Sequence, residues 1–269
     1  MAGATQKAIE HAPVLFIGHG SPMNAIADNS FTQTLSKLGK LYPAPKAILC
    51  ISAHWMTEGT WITRMPRPKT IHDFYGFPDE LFQIQYPAPG DPEIADLIST
   101  TIHEPKISPD NETWGLDHGT WSVLRHIFPN ADVPVLQLSL NMEQQAQYHY
   151  ELGKQLRTLR DQGILIVGSG NVVHNLRKIS WESDAEPFDW AIEFDDWIRA
   201  KLQSRDFDSI INGFNKSEAG KLSVPTSEHF LPLLYILGAS YEEDKLKFEF
   251  QGIQNGSISM LTVRFGGKD

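Results

Sequence analysis

The stretch Val14-Leu15-Phe16-Ile17-Gly18-His19-Gly20-Ser21-Pro22 runs from an unbroken apolar segment into a glycine-flanked histidine and a proline. A short apolar run without polar alternation marks a strand covered on both faces. Ala47 to Ser52 and Ile164 to Gly168 share that pattern, and Val133 to Leu140 shares it in part, with Gln137 and Ser139 alternating with leucines. Helical patterns lie between and after these runs. Asp91-Pro92 reads as an N-cap and first helical position, opening a helix through Ile102. Asn141 is expected to cap a longer helix carrying Leu152, Leu156 and Leu159 that stops near Gly163. Pro187 to Leu202 presents a broad apolar helical face, and Phe230 to Leu237 reads as a short helix ended by Gly238.

Strands alternating with helices predict an α/β fold: a central, mainly parallel sheet with helices on both faces. Lys245 to Phe250 and Ser257 to Phe265 instead alternate apolar with polar around Gln254-Asn255-Gly256. They predict a C-terminal antiparallel hairpin, placed at the sheet edge. With no internal repeat, residues 1–269 read as a single α/β domain. The segment from Met56 to Gly90 is rich in Pro, Gly and aromatics, and loops of that length tend to be functional.

Bulk composition excludes more than it assigns. The chain is 41% hydrophobic and 21% charged with a net charge of −10, which speaks against a nucleic-acid partner. The one cysteine, Cys50, lies inside an apolar run; it permits no internal disulfide and reads as a small buried hydrophobe. Met1 to His11 has no apolar signal-like core, and no run is long enough to span a bilayer, so the expectation is a cytoplasmic protein without a membrane partner.

The ten histidines do not fall at random along this pattern. His19 and His54 follow the first and second strands, and His174 follows the strand at Ile164. In open α/β sheets ligands bind outside the carboxyl ends of the strands. Three strands thus deliver an imidazole each to one rim, and His229 adds a fourth at the start of the Phe230 helix. One histidine after a strand is ordinarily a loop or core residue. Several at equivalent positions, flanked by glycines, point to a metal site, since imidazole is the commonest metal ligand. His118 stands at an expected helix start, where free N–H groups favour an anionic oxygen. His72 belongs to the long loop and to an expected lid. His11, His103, His126 and His149 read as surface or helix-flank residues. No dinucleotide fingerprint, phosphate loop, nucleophile elbow or His-Glu-x-x-His helix is present.

The ordered set Gly18-His19-Gly20-Ser21-Pro22, Ser52-Ala53-His54-Trp55, His72-Asp73-Phe74-Tyr75-Gly76-Phe77-Pro78, Asp117-His118-Gly119-Thr120-Trp121, Gly168-Ser169-Gly170 with His174-Asn175, and Glu228-His229-Phe230 resembles the class III extradiol ring-cleavage dioxygenases. Within them it is most similar to the 4,5-DOPA extradiol subgroup. The resemblance runs from about Pro13 to Gly266. It implies a non-haem metal site, with Fe(II) for activity and Zn(II) in purified protein, and a DOPA-like catechol opened with O2. By motif His19 and His54 would be metal ligands, completed by His229. His174 would either join the metal or act beside it as acid/base, and His118 would bind the reacting oxygens and move protons. Glu228 competes with His229 for the last ligand position, because better-known members use two His and one Glu. Trp55, Phe74, Tyr75 and Trp121 would wall an aromatic substrate. Two rival readings stand beside this one: a zinc hydrolase, and a metal-binding protein without turnover on the same scaffold. The residues leave the oligomeric state open.

Overall fold

Alternate residues of the first strand enter two different cores, and that sets the architecture. In the computed structural model, which describes residues 11–42, 45–182 and 184–267, Val14 and Phe16 pack in one hydrophobic core and Leu15 and Ile17 in the other. The same split recurs for Leu49 against Cys50 and for Ile166 against Val167. Successive side chains of a strand point to opposite faces, so these strands are covered on both sides.

The strands are β1 (Val14–Gly18), β2 (Ala47–Thr57), β3 (Thr60–Thr63), β4 (Ile107–Asp110), β5 (Val135–Asn141), β6 (Ile164–Gly170), β7 (Leu246–Phe250), β8 (Ile253–Gln254), β9 (Ile258–Ser259) and β10 (Thr262–Phe265). Eight form one sheet in the order β4-β3-β5-β2-β6-β1-β10-β7. The central neighbours β5, β2, β6 and β1 are parallel, whereas β10 and β7 close one edge antiparallel. The helices are α1 (Ser30–Leu41), α2 (Asp79–Phe82), α3 (Pro92–Thr101), α4 (His118–Ile127), α5 (Ala146–Leu156), α6 (Asp189–Gln203), α7 (Phe207–Gly213), α8 (Glu218–Ser223) and α9 (Leu231–Ala239). α1 and α4 cover one face, through Phe31, Leu35, Trp121 and Leu124. α3, α5, α6 and α9 cover the other, through Ile94, Leu152, Phe194 and Leu234. The mainly parallel sheet with helices on both faces and an antiparallel C-terminal edge is the expected fold.

Several local expectations are corrected. Asn141 ends β5 and caps no helix; its side chain accepts from Glu143 N–H at 3.2 Å in the turn that precedes α5. Gly238 lies inside α9, where a Cβ would stand 2.1 Å from the Tyr150 carbonyl oxygen. Its role is close helix contact, not termination. The Asn255-Gly256 turn, with φ of 53° and 71°, closes a separate two-stranded hairpin of β8 and β9, while β7 pairs with β10 outside it. Gln137 and Ser139 are fully buried: Ser139 Oγ accepts from Trp61 N–H at 2.8 Å, so their alternation reflects internal hydrogen bonding. His149 is also fully buried, against Tyr235. Met1 to His11 lies outside the described residues except for His11. Among the described residues no helix is long and apolar enough to cross a membrane.

Candidate metal centre

Strand register carries the histidines to one place. Gly18 pairs with Gly170 across β1 and β6, and Ser52 pairs with Ser169 across β2 and β6. Gly18, Gly170 and Ser52 therefore stand nearly level across the sheet, with β2 continuing to Thr57, and His19 N–H donates to the Gly170 carbonyl at 3.1 Å. His54 lies where the pairing of β2 with β5 shifts register between Ile51 and Met56, an irregularity of the kind that re-aims side chains beside a site. His229 is docked just before α9, with its carbonyl accepting Asn171 N–H at 2.8 Å. Gly170 is required there, because a Cβ would fall 2.1 Å from that carbonyl oxygen. His118 is the first residue of α4, whose N-cap Asp117 accepts from Thr120 N–H.

Five imidazoles meet as a result. His19 Nε2 lies 3.2 Å from His54 Nε2, and one ligand atom from each of His19, His54 and His229 falls within 4.8 Å of the others. The His118 ring centroid is 3.9 Å from that of His54. His174 stacks on His229, with centroids 3.5 Å apart and planes 10° apart. An imidazole lone pair lies in the plane of its ring, so an ion in the plane of one stacked ring lies well out of the plane of the other. In this arrangement one ion does not sit in both ring planes, although the ligand atoms of His174, Glu228 and His229 lie within 4.8 Å of one another.

The far side of each ring is tied down. Ser169 Oγ donates to the Gly119 carbonyl at 2.6 Å, which leaves it as acceptor for His19 Nδ1 at 3.0 Å. His54 Nδ1 is 3.5 Å from Asp73 Oδ2, and His229 Nδ1 is 3.1 Å from Glu228 Oε1. With Nδ1 protonated in each, the Nε2 lone pairs are free for a metal, the arrangement metal-binding histidines adopt. Burial, reinforced by the neighbouring imidazoles, holds His19 and His229 well below the usual histidine range. Burial and His118 likewise lower His54, while Asp73 opposes the shift. His174 is pushed down to about 4, chiefly by burial. These imidazoles are neutral near pH 7, the form that coordinates a cation. The donor set thus fits a divalent metal, and soft thiolates are absent because the Cys50 thiol is buried in the core.

Glu228 faces His229 rather than His19 and His54, and it groups with His174 and His229 only. The aromatic residues divide. Phe74 meets the His118 ring edge-on at 5.5 Å, whereas Tyr75 is 92% exposed and Trp121 fully buried. Trp55 stacks on Trp114. His72 sits away from the cluster, hydrogen-bonded to the Ile84 carbonyl. Sequence reasoning missed Asp73, which touches both His54 and His118. It also missed Asp117, a fully buried carboxylate held by Ser52 at 2.7 Å and Gln137 at 2.6 Å. Burial and the nearby Asp73 charge raise the Asp117 carboxyl against the pull of those hydrogen bonds. A carboxylate beside a motif histidine was the one signal available for either.

Comparison with known proteins adds to this geometry. Residues 7–266 match the family described as the catalytic LigB subunit of aromatic ring-opening dioxygenase. The chain is 46% identical over 257 residues to a 4,5-DOPA dioxygenase extradiol of Escherichia coli (strain K12), covering 94% of each chain. It is 36% identical to the 4,5-DOPA dioxygenase extradiol of Beta vulgaris, over 93% of this chain and 95% of that one. Among solved structures it is similar to an uncharacterized protein of Escherichia coli K12, with a TM-score of 0.83 and 42% identity, covering 95% of this chain and all of the other.

Proposed function

The chain belongs to the family of the catalytic LigB subunit of aromatic ring-opening dioxygenase, and from that premise we propose that His19, His54 and His229 hold a divalent metal beside which a catechol is opened, with His118 and His174 handling protons. The enzyme is an extradiol ring-cleaving dioxygenase, acting on a small aromatic molecule and O2. That decides against the hydrolase and non-catalytic readings. The substrate we infer is a DOPA-type catechol, because the relatives at 46% and 36% identity are named for that activity. The observation that carries the ligand assignment is the 3.2 Å approach of His19 Nε2 to His54 Nε2, with their Nδ1 sides turned to Ser169 and Asp73.

When bound, ferrous iron supplies redox capacity toward O2 that redox-inert zinc lacks, although imidazole ligands suit both ions. The protein residues do the rest. A catechol must lose protons as it binds, and neutral imidazoles within reach accept them. His174 is neutral at pH 7, because burial pushes it down to about 4, and it stacks on His229 beside the metal ligands; a value that low suits it to return a proton better than to take one. His118, at a helix N-terminus whose free N–H groups favour an oxyanion, is placed to take the proton. Phe74, against the His118 ring, gives an aromatic substrate an apolar wall and helps exclude water.

Metal-free protein loaded anaerobically with Fe(II) or Zn(II), mixed with a catechol and then exposed to O2, tests the proposal. Oxygen uptake and loss of the catechol spectrum are expected with Fe(II) only. Equal uptake with Zn(II) alone would overturn the redox assignment.

A further inference from the structure

Asp73 lies in the loop between β3 and α2, and that loop is pinned on both sides of it. Ile71 N–H donates to the Leu116 carbonyl at 2.7 Å, and Trp121 Nε1 donates to the Ile71 carbonyl at 2.8 Å. On the other side Phe74 packs on Phe82 and on the His118 ring. The Asp73 carboxylate is thereby delivered to two imidazoles at once. Its Oδ1 accepts the His118 backbone N–H at 2.9 Å and lies 2.9 Å from His118 Nδ1, a close contact of charge with ring that is not aligned as a hydrogen bond. Its Oδ2 lies 3.5 Å from His54 Nδ1.

We propose that Asp73 is a positioning residue for ring opening, holding the His118 imidazole with its proton on Nδ1 so that Nε2 faces the catechol as a proton acceptor. An ionised carboxylate only accepts hydrogen bonds, so the nitrogen facing it carries the proton and the other nitrogen is left with its lone pair. The contact with the His118 backbone N–H uses one of the free donors of the α4 terminus, which fixes loop and helix together. A carboxylate charge 2.9 Å from Nδ1 repels a lone pair there and favours a proton, which selects the tautomer. The inference rests on the acid–base role given to His118 above.

Asp73→Ala is the informative variant, because it withdraws the carboxylate from His118. In Asp73→Asn the amide oxygen stays with the His118 backbone N–H and Nδ1, which share one oxygen, so only the charge is lost and the amide NH2 turns to His54. Asp73 also stands behind His54, so metal affinity falls in both variants and kcat is read at saturating iron. There D73A is expected to lower kcat by roughly 10²–10⁴-fold with KM little changed, and D73N to lose less. In an H118A background, D73A is expected to cost nothing further in kcat. In metal-free protein, imidazole nitrogen NMR is expected to show the Nδ1–H form of His118 giving way in D73A and persisting in D73N. Wild-type kcat in D73A, an additive loss on top of H118A, an unmoved tautomer in D73A, or a loss that saturating iron restores would each overturn the role of Asp73 while leaving that of His118 standing. Full activity of H118A would overturn it together with the reading on which it rests.

Discussion

His19 shows how far a single side chain is specified. Its Nδ1 meets Ser169, whose own proton is committed to the Gly119 carbonyl, so the ring has one tautomer and one outward lone pair. Ser169→Ala should leave the fold intact and weaken metal binding by roughly 10–100-fold, since partners behind a ligand contribute on that scale. His19→Ala or His54→Ala should abolish stoichiometric metal, because each removes one of three converging imidazoles. His174→Ala should keep the metal and lose turnover, as its stacking on His229 directs it away from a shared ion. Metal content after dialysis, measured beside oxygen uptake, separates these cases. Retention of metal by H54A together with its loss in H174A would reverse the assignment. His19, His54 and His174 were legible from their positions after apolar runs, and His229 from its place just before one. Ser169 and Asp73 were not, because hydrogen bonds spanning 150 and 45 residues leave no local pattern.

Elements carry a different kind of information. The central strands were readable because burial on both faces demands continuous apolar runs. β3 and β4 were missed: each is four residues long and carries threonine, proline or aspartate. Gly238, read from the sequence as a helix end, belongs instead to the contact of α5 with α9. Gly153 and Gly238 look like helix breakers, yet each packs against the opposite helix, with a Cβ falling 2.3 Å from Tyr235 O and 2.1 Å from Tyr150 O respectively. Gly153→Ala or Gly238→Ala should therefore destabilise the fold by about 1–3 kcal/mol or more, despite alanine's better helix propensity, because backbone must move to admit a methyl group. A raised denaturation midpoint in either would contradict this. The same contact buries His149, hydrogen-bonded to Tyr235 Oη at 3.1 Å and held at about 4 mainly by burial. Unfolded, that imidazole titrates near 6.5, so between pH 6.5 and 4 the unfolded chain binds more protons and stability is lost as pH is lowered. His149→Gln should flatten the pH dependence of urea unfolding in that window, by on the order of 3 kcal/mol at most. An unchanged slope would mean that His149 is protonated in the folded state.

At the scale of the whole molecule, the cluster ties together parts of the chain that the sheet alone brings close. His19 follows β1, His54 belongs to β2 and His229 precedes α9, while the β8–β9 hairpin packs Ser259 behind them through Asn171, at 2.7 Å from its carbonyl. Gathering several neutral imidazoles in the interior costs folding free energy that a bound cation returns. A ligand that binds only the folded state stabilises it by about 2.7 kcal/mol at a hundred times its Kd. For a chain of this size each kcal/mol is worth about 2–4 °C. Saturation with Zn(II) or anaerobic Fe(II) should thus raise Tm by about 5–10 °C over chelated protein. The rise should vanish in His54→Ala and persist, slightly reduced, in Ser169→Ala. Zinc and iron should stabilise alike, although only iron supports turnover, because the melt reports coordination and not redox chemistry. Identical melting of the wild-type protein with and without saturating metal would mean that the histidines do not act as a joint site, and the ligand assignment would fall with it.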